Sequence, residues 1–451
     1  MNRRDFLRHM GGIGAGAALA QLGLLSSRAL AAPADYVGYK ALVCIFLAGG
    51  NDGNNTIVPI DTAGYANYSA IRGPLALPQA NLVPLPEAGG ALRFGLHPGL
   101  SAWQPIWNAG QMAVLLNAGT LLQPLTLAQF RASTSARPLD LFSHIDQQHQ
   151  WQAAVSDAPS TTGWGGRIAD QLAAANAGSS VPTMITTSGN NLFVTGRSSR
   201  ALAVPVSGSF GLSGSGGSGT SPARTTALTR LLGVDKDALL VDAAQDIVTN
   251  ALNYSEILGD LLASNTTPAA APFAPLTSGI AKQLLSIAKI IEARTTLNAT
   301  RQIFLASLGG FDTHTNQLNT QANHFGQLGP AVKAFYDAMV AIGANANVTT
   351  FTLSDFSRTF KPNTGGGSDH AWGNNHFIIG GAVQGQRIYG TPPTLALGGP
   401  DDTSKQGRWI PTTAVDQYAA TLATWFGVSP AGLASVLPNL SRFPVANLGF
   451  V

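Results

Sequence analysis

Six side chains able to bind a metal ion or to transfer a proton fall inside one C-terminal window of this 451-residue chain. They are Asp312, His314, Asp355, Asp369, His370 and His376. Their concentration is unusual because charged residues make up only 11% of the sequence. Carboxylate oxygens and imidazole nitrogens together are ligands of divalent cations, and this mixture suits zinc or manganese better than calcium. The window therefore predicts a divalent-metal site.

The spacing of Asp312 and His314 fits that chemistry. At the end of a strand, residues i and i+2 lie on one face about 6–7 Å apart, so both can bind one cation. Exposed loops also contain such pairs without any metal. His370 and His376 lie in a stretch of small and polar residues and on no apolar periodic face. This context favours metal binding by at least one of them over two structural core histidines.

Two further carboxylates follow apolar runs. Asp52 lies in a Gly-Asn-Asp segment after the first run, and the alternative is a turn chosen for its backbone conformation. Asp355 follows a later run, and the nearby guanidinium of Arg358 is suited to an oxyanion. Alternatively, Asp355 caps a helix or pairs with Arg358.

Ser143 precedes a predicted helix that begins with His144. A hydroxyl at this N-cap position lies in the positive field of the helix end, where it can meet an anionic ester and act as a nucleophile. The alternative is an ordinary helix cap, in which case Thr120 is the next candidate hydroxyl. His144 or Arg358 would then support the nonbridging oxygens of the ester.

Continuous apolar runs and helical stretches alternate along the chain. The runs are 41–47, 112–116, 302–308 and 348–353, and the main helical stretches are 278–294, 328–342 and 414–426. Runs of this kind are typical of strands buried on both faces of a parallel sheet. We expect an α/β fold with a doubly wound, mostly parallel sheet and helices on both faces. Such sheets bind ligands at the carboxyl ends of their strands, where the polar residues above are predicted to lie.

The N-terminus predicts export. Arg3 and Arg4 precede a Phe-Leu step and a weakly apolar run, and residues 29–31 offer a small-x-small cleavage site. This pattern is typical of a twin-arginine signal peptide over residues 1–31, recognised by the twin-arginine export machinery. The alternative is an amphipathic first helix. Residues 32–451 are expected to form a periplasmic or extracellular domain without a stable membrane span, elaborated by a Gly/Ser-rich and helical insertion at about 200–297.

The basic pI of 9.0 belongs to the leader. Residues 1–31 contain four arginines and one aspartate, a net +3, which equals the formal charge of the whole chain. The remaining chain is about neutral, so nucleic-acid binding by bulk charge is not expected. Cys44 is the only cysteine, which excludes an internal disulfide.

The order of these motifs resembles that of the alkaline phosphatase and sulfatase superfamily and, more closely, domain-of-unknown-function family 1501, a group of exported proteins. The similarity spans nearly the whole exported chain. It rests on the arginine-pair leader and on the motifs Leu47-Ala48-Gly49-Gly50-Asn51-Asp52-Gly53, Ser143-His144-Ile145-Asp146-Gln147, Gly309-Gly310-Phe311-Asp312-Thr313-His314, Ser354-Asp355-Phe356-Ser357-Arg358-Thr359, Asp369-His370-Ala371-Trp372-Gly373 and Ile410-Pro411-Thr412-Thr413.

The resemblance implies an alkaline-phosphatase-like fold with one or two divalent ions. One site would use Asp312, His314 and His376. The other would use Asp52 and Asp355, with Ser143 facing both. The chain departs from the superfamily pattern where Phe356 replaces a histidine expected after Asp355. His370 would then fill that vacancy, or one site would be incomplete.

The expected function is hydrolysis of a small phosphate or sulfate ester by Ser143 or by water that the metal activates. The alternative is a non-catalytic metal-binding or structural exported protein, which Phe356 favours. Carbohydrate binding is a third possibility. It would use Trp103, Trp107, Trp151, Trp164 and Trp372, although aromatic residues are more often core.

Overall fold

The computed structural model describes residues 38–206, 210, 221–234 and 239–451. The predicted signal peptide at 1–31 lies outside the described residues, as does most of the Gly/Ser-rich part of the predicted insertion. No helix among the described residues has the length and apolarity needed to cross a membrane.

Twelve strands are present in the described chain. They are β1 (Lys40–Leu47), β2 (Ile57–Pro59), β3 (Val83–Pro84), β4 (Phe94–Leu96), β5 (Met112–Gly119), β6 (Met184–Thr186), β7 (Leu202–Ala203), β8 (Arg301–Leu308), β9 (Val348–Ser354), β10 (Asn374–Ile379), β11 (Arg387–Tyr389) and β12 (Thr413–Ala414). The four predicted apolar runs correspond to β1, β5, β8 and β9.

The helices connect and cover these strands. The α-helices are Gly53–Thr56, Thr62–Arg72, Gln104–Asn108, Leu127–Ala132, His144–Ala153, Trp164–Gln171, Ser221–Leu232, Leu239–Ala263, Gly279–Glu292, Gln317–Ala341, Val415–Phe426 and Pro430–Val436. Short 3-10 helices occupy Gly73–Leu75, Gln79–Asn81, Pro98–Trp103, Thr134–Ala136, Ala173–Asn176, Leu192–Val194, Ala271–Phe273, Asn345–Asn347 and Leu440–Arg442.

The main sheet has the strand order β11-β5-β10-β9-β1-β8-β6-β7, and β12 pairs with β5. β1 runs parallel to both β8 and β9, and β6 runs parallel to β8. β10 runs antiparallel to its neighbours β5 and β9. The prediction of a mostly parallel sheet is confirmed, and the carboxyl ends of β1, β8 and β9 meet at one edge. A second, small sheet has the order β2-β4-β3.

Both faces of the main sheet are covered, as the continuous apolar runs predict. Val43 packs in a core under the helices Gly279–Glu292 and Gln317–Ala341. Its neighbour Leu42 points to the opposite face and packs under Val415–Phe426. Successive strand residues alternate between faces, so a strand must be apolar throughout when helices lie on both sides. The five tryptophans considered for carbohydrate binding are at most 1% exposed, which excludes them as a binding surface.

One helix is longer than predicted. The sequence indicated residues 328–342, and the structure extends this helix to Gln317–Ala341. Pro330 lies inside it and the first turns carry polar side chains, so local preference did not indicate the extension. Buried contacts stabilise it instead, because Gln317 and Gln321 donate hydrogen bonds to the Asp52 segment.

In the predicted insertion, the helix Leu239–Ala263 packs against the main body near Leu258.

Candidate metal centre

His144 is held at the edge of the sheet by a carboxylate that follows β9. Its Nδ1 lies 2.7 Å from Oδ2 of Asp355. Gln148, one helical turn later, donates to the same oxygen at 2.7 Å, and the Gly49 amide donates to Oδ1 at 3.0 Å. The Asp355 side chain is 0% exposed. Asp355 therefore positions His144, and its own oxygens are already occupied by hydrogen-bond donors.

His370 approaches from the loop after β9. An isolated antiparallel bridge pairs it with Arg358, and its Nδ1 lies 2.8 Å from the carbonyl oxygen of Phe142. Its Nε2 lies 3.1 Å from Nε2 of His144 and 3.5 Å from Oδ1 of Asp312. Two imidazoles from distant segments thus point the same ring nitrogen at one carboxylate.

His314 completes the group from the segment after β8. Its Nδ1 lies 3.1 Å from Oδ1 of Asp369, which Asn363 also contacts at 3.1 Å. Its Nε2 lies 3.1 Å from Oδ1 of Asp312 and 3.1 Å from Nε2 of His370. We call His144, Asp312, His314 and His370 the histidine cluster.

The hydrogen bonds of the histidine cluster constrain its tautomers. The Nδ1 of His370 lies against a carbonyl oxygen and carries a proton as a donor, and the Nδ1 of His144 donates in the same way to Asp355. Both ring nitrogens of His314 lie 3.1 Å from a carboxylate oxygen, that of Asp369 or that of Asp312. The three Nε2 atoms lie within 3.5 Å of Oδ1 of Asp312, and a cation bound among them would be coordinated by their lone pairs. Metal-binding histidines commonly have the other ring nitrogen bonded to a carboxylate or carbonyl in this way.

The distances within the cluster suit a tetrahedral ion. The Nε2 of His144, the Nε2 of His370 and Oδ1 of Asp312 form a group compatible with metal binding, with separations of 3.1, 3.4 and 3.5 Å. Zinc bonds of about 2.0–2.1 Å place tetrahedral ligand atoms about 3.3–3.4 Å apart. These three residues can therefore form one face of a tetrahedron. This group does not include His314, which leaves the fourth position to a water molecule.

The sequence predicted that Arg358 contacts a substrate oxyanion, and the structure places it elsewhere. Its guanidinium is 0% exposed and donates to Oδ1 of Asp312 at 2.5 Å and to the Gly50 carbonyl at 2.9 Å. It also donates to the carbonyls of Gly49 and Ser368. A fully buried side chain with these partners cannot bind an incoming ester. Its role is to hold Asp312.

The pKa values of Asp312, His144 and His370 are shifted in different directions. Partial burial raises the pKa of Asp312, but the hydrogen bond and charge of Arg358 outweigh it and hold that pKa below the usual value. The hydrogen bond to Asp355 raises the pKa of His144, whereas burial lowers the pKa of His370. A proton inside the cluster is therefore best placed on His144, and a bound cation would displace it.

Asp52 does not join the histidine cluster. Its carboxylate is 2% exposed and forms a buried ion pair with Arg72. Gln317 donates to the same oxygen, and the Asn54 amide donates to Oδ1 at 3.1 Å, so Asp52 caps the short helix Gly53–Thr56. The structure thus places Asp52 in an internal polar network, which agrees with the turn interpretation of its sequence context.

His376 is also separate from the cluster. It is the third residue of β10, which lies between β5 and β9 in the main sheet, and its side chain is 1% exposed. Its ring centroid is 4.6 Å from that of Trp151 and 5.9 Å from that of Tyr418. Burial lowers the pKa of His376 to about 3. The structure therefore makes it a neutral core histidine.

Ser143 occupies the N-cap position of its helix, as predicted, but its hydroxyl caps no backbone amide. The hydroxyl donates to Oδ2 of Asp146 at 2.5 Å. Asp146 lies two residues after His144, about 200° around the helix axis. The Ser143 hydroxyl is thus bonded to a carboxylate three residues later in the chain.

Some residues of the site were missed by sequence reasoning. The sequence suggested that His144 supports the oxygens of a substrate, whereas the structure places it among the candidate metal ligands. Gln148 follows His144 by four residues, which puts both side chains on one face of the helix. That spacing was the signal in the sequence that the two side chains share one partner. Phe356 was noted only for the histidine it replaces. Its ring packs against His144 and His370, with centroids 4.7 and 4.8 Å away, and so fixes both imidazoles.

The chain superposes on several solved structures at low sequence identity. On Ps i-CgsB in complex with k-i-k-neocarrahexaose it gives a TM-score of 0.32 at 10% identity, over 87% of this chain and 72% of that chain. On the Zn complex of the C-terminal periplasmic domain of EcEptC from Escherichia coli it gives a TM-score of 0.35 at 10% identity, over 88% of this chain and 84% of that chain. On the lipoteichoic acid synthase LtaP from Listeria monocytogenes it gives a TM-score of 0.31 at 9% identity, over 84% of this chain and 76% of that chain.

A search of curated protein sequences found no match to the chain. Residues 39–404 match the family model described as Protein of unknown function (DUF1501). Because this range covers most of the 451 residues, the chain belongs to the DUF1501 family.

Proposed function

We propose that the chain is an exported, metal-dependent hydrolase of phosphate or sulfate esters, with one divalent cation bound by the histidine cluster. The observation that carries this proposal is the convergence of three Nε2 atoms on Oδ1 of Asp312. Zinc or manganese suits these ligands. When bound, the cation would polarise a water molecule for attack and neutralise charge on the ester oxygens.

The residues around the cluster have supporting roles. Arg358 holds Asp312, while Asp355, Asp369 and the Phe142 carbonyl orient the three imidazoles. The side chains of Asp312 and His314 are 49% and 44% exposed, so the open side of the cluster can receive a substrate. The Ser143 hydroxyl is engaged with Asp146, which favours water over Ser143 as the nucleophile.

The test is metal analysis of the exported protein together with a panel of phosphate and sulfate monoesters and diesters. Wild type is compared with Asp312→Ala and with Asp337→Ala, which removes an exposed carboxylate paired with Lys333. We expect Asp312→Ala to lose metal and turnover and Asp337→Ala to keep both. A Ser143→Ala variant should keep kcat/KM within about threefold, whereas a loss of about a thousandfold or more would assign Ser143 as the nucleophile.

The second candidate is a non-catalytic, metal-binding exported protein of the same fold. The contact between Ser143 and Asp146 favours it, because the predicted nucleophile is engaged elsewhere. Bound metal in wild type without turnover of any ester in the panel would select this candidate. Absence of metal in a protein expressed with zinc and manganese would contradict both candidates.

A further inference from the structure

Arg408 lies at the edge of the histidine cluster without a role in the contacts described above. Its guanidinium carbon lies 4.5 Å from the centroid of the Phe142 ring. The carbonyl of that same Phe142 accepts the hydrogen bond from His370. Arg408 is also within electrostatic range of Asp369, the partner of His314. Arg408 is therefore connected to His370 through Phe142 and to His314 through Asp369.

The guanidinium of Arg408 makes no hydrogen bond or ion pair with any residue that the structure describes, and its buried Nε has no partner. Other internal arginines differ in this respect. Arg358 donates to three carbonyls and Asp312, and Arg72 pairs with Asp52. The nearby carboxylate of Asp402 accepts instead from backbone amides, including that of Arg408 itself. Arg408 is thus a half-buried cation with unused donors.

The charges around the cluster show what those donors could bind. Asp312, Asp355 and Asp369 contribute three negative charges and Arg358 one positive charge. A divalent cation would balance the remaining two negative charges, and the charge of Arg408 is opposed by Asp402, a buried carboxylate that accepts hydrogen bonds only from backbone amides of the described chain. Burial lowers the pKa of Arg408, against the opposing charges of Asp369 and Asp402. The N–H groups of this half-buried guanidinium still have no hydrogen-bond acceptor among the described residues, so an oxyanion from solvent that accepts from them would be favourable.

We infer that Arg408 is a specificity-determining residue that binds the tetrahedral oxyanion of the substrate, donating to its nonbridging oxygens beside the histidine cluster. This inference rests on the proposed function and gives Arg408 the role that the sequence suggested for Arg358. Planar guanidinium groups bind phosphate and sulfate through two parallel hydrogen bonds, and stacking on an aromatic ring fixes their orientation. The Phe142 ring provides that stacking surface.

The test measures binding of inorganic phosphate and inorganic sulfate to the zinc-loaded protein by isothermal titration calorimetry. Arg408→Met retains an apolar contact with Phe142 and removes the charge, and Arg408→Lys retains the charge without the planar fork. We expect Arg408→Met to weaken the binding of both anions by about 10- to 100-fold and Arg408→Lys to restore part of it. Zinc content and melting temperature should stay at wild-type values in both variants.

Arg93→Met is the matched control, because Arg93 also stacks on an aromatic ring, that of Phe94, but its charge is paired with Glu87. Unchanged anion affinity in Arg408→Met, or an equal loss in Arg93→Met, would overturn the inference while leaving the metal site intact. A wild-type protein that binds zinc but neither anion would also overturn it. Failure of wild type to bind metal would contradict the proposed function itself, whatever the anion affinities of the variants.

Discussion

His144 and His370 point their Nε2 atoms at each other across 3.1 Å, although 226 residues separate them in the chain. The Nδ1 of His144 donates to Asp355 and that of His370 donates to the Phe142 carbonyl, so the two Nε2 atoms can share one proton or one cation. A short contact between two lone pairs is unfavourable unless a cation or a proton lies between them. The residues that hold each imidazole must therefore keep the two Nε2 atoms in position around that cation or proton.

Asp355→Asn should weaken metal binding without removing a ligand. The amide keeps the shape of the side chain, but it can present an N–H to His144 and no longer stabilises the tautomer with a free Nε2. We expect the zinc dissociation constant to rise by about 10- to 100-fold. Competition with a coloured chelator measures it.

The control for this prediction is Asp170→Asn. Asp170 accepts hydrogen bonds from the backbone amides of Arg197, Ser198 and Ser199, so it is a hydrogen-bonded carboxylate outside the cluster. Its replacement should leave zinc affinity unchanged. Equal affinities of wild type and Asp355→Asn would show that the hydrogen bond does not orient His144 for a metal.

Arg72→Ala should destabilise the fold and leave the metal centre unchanged. It leaves the buried carboxylate of Asp52 without its cation, a change that costs about 3–5 kcal/mol in free energy of unfolding. The double variant Asp52→Asn/Arg72→Met removes both charges and should recover part of that loss. Urea unfolding measures stability, and metal content is measured on the folded proteins.

This experiment also tests the placement of Asp52. The resemblance to the superfamily assigned Asp52 to a metal, whereas the structure pairs it with Arg72. If Asp52 binds a metal, the double variant should lose one ion per chain. A zinc-to-protein ratio equal to that of wild type is expected.

The sequence was sufficient for the parts of the fold that depend on local pattern. β1, β5, β8 and β9 were predicted because strands buried on both faces are apolar throughout, and the position of Asp312 and Asp355 at the sheet edge follows from parallel pairing. It was not sufficient for β10. His376 lies inside the core because β10 begins two residues before it and lies between β5 and β9, and the polar residues at the start of this strand gave no strand pattern.

The partners of the carboxylates were also not predictable from the sequence. Asp52 and Asp355 have similar local contexts, each in the turn that follows an apolar run, yet one pairs with Arg72 and the other with His144. These partners are 20 and 211 residues away, so the difference arises only when the chain is folded. Sequence position indicates which edge a residue occupies, and packing decides what it contacts.

Phe356→Ala should destabilise the protein and loosen the cluster. The ring is 0% exposed and packs against His144 and His370, so its removal leaves a cavity under both imidazoles. Such a change costs about 3–5 kcal/mol in free energy of unfolding. We also expect weaker zinc binding, since the imidazoles lose their support.

Denaturant unfolding and zinc titration measure the two effects separately. Val340→Ala is the control, because Val340 is 52% exposed and its truncation should change stability by no more than about 0.5 kcal/mol. Wild-type stability in Phe356→Ala would contradict the packing role of the ring. Tighter zinc binding would show that Phe356 obstructs the site.

Asp416 should make the stability of the protein fall as pH rises toward neutrality. It is 1% exposed in the helix Val415–Phe426, its Oδ1 has no hydrogen-bond partner, and burial raises its pKa from 3.8 to about 7. Between these two values the folded protein keeps the proton that the unfolded chain has released. The free energy of unfolding therefore decreases across this window, by at most about 1.4 kcal/mol per pH unit.

Asp416→Asn isolates this effect from the other carboxylates. Asp312 and Asp369 have lowered pKa values and stabilise the fold as pH rises through their own range, in the opposite direction. Because both proteins share these groups, the difference between their unfolding free energies reports Asp416 alone. We expect Asp416→Asn to match wild type near pH 4 and to become increasingly more stable than wild type up to about pH 7. Urea unfolding at several pH values measures the difference, and parallel profiles would show that Asp416 is ionised in the folded protein at the same pH as in the unfolded chain.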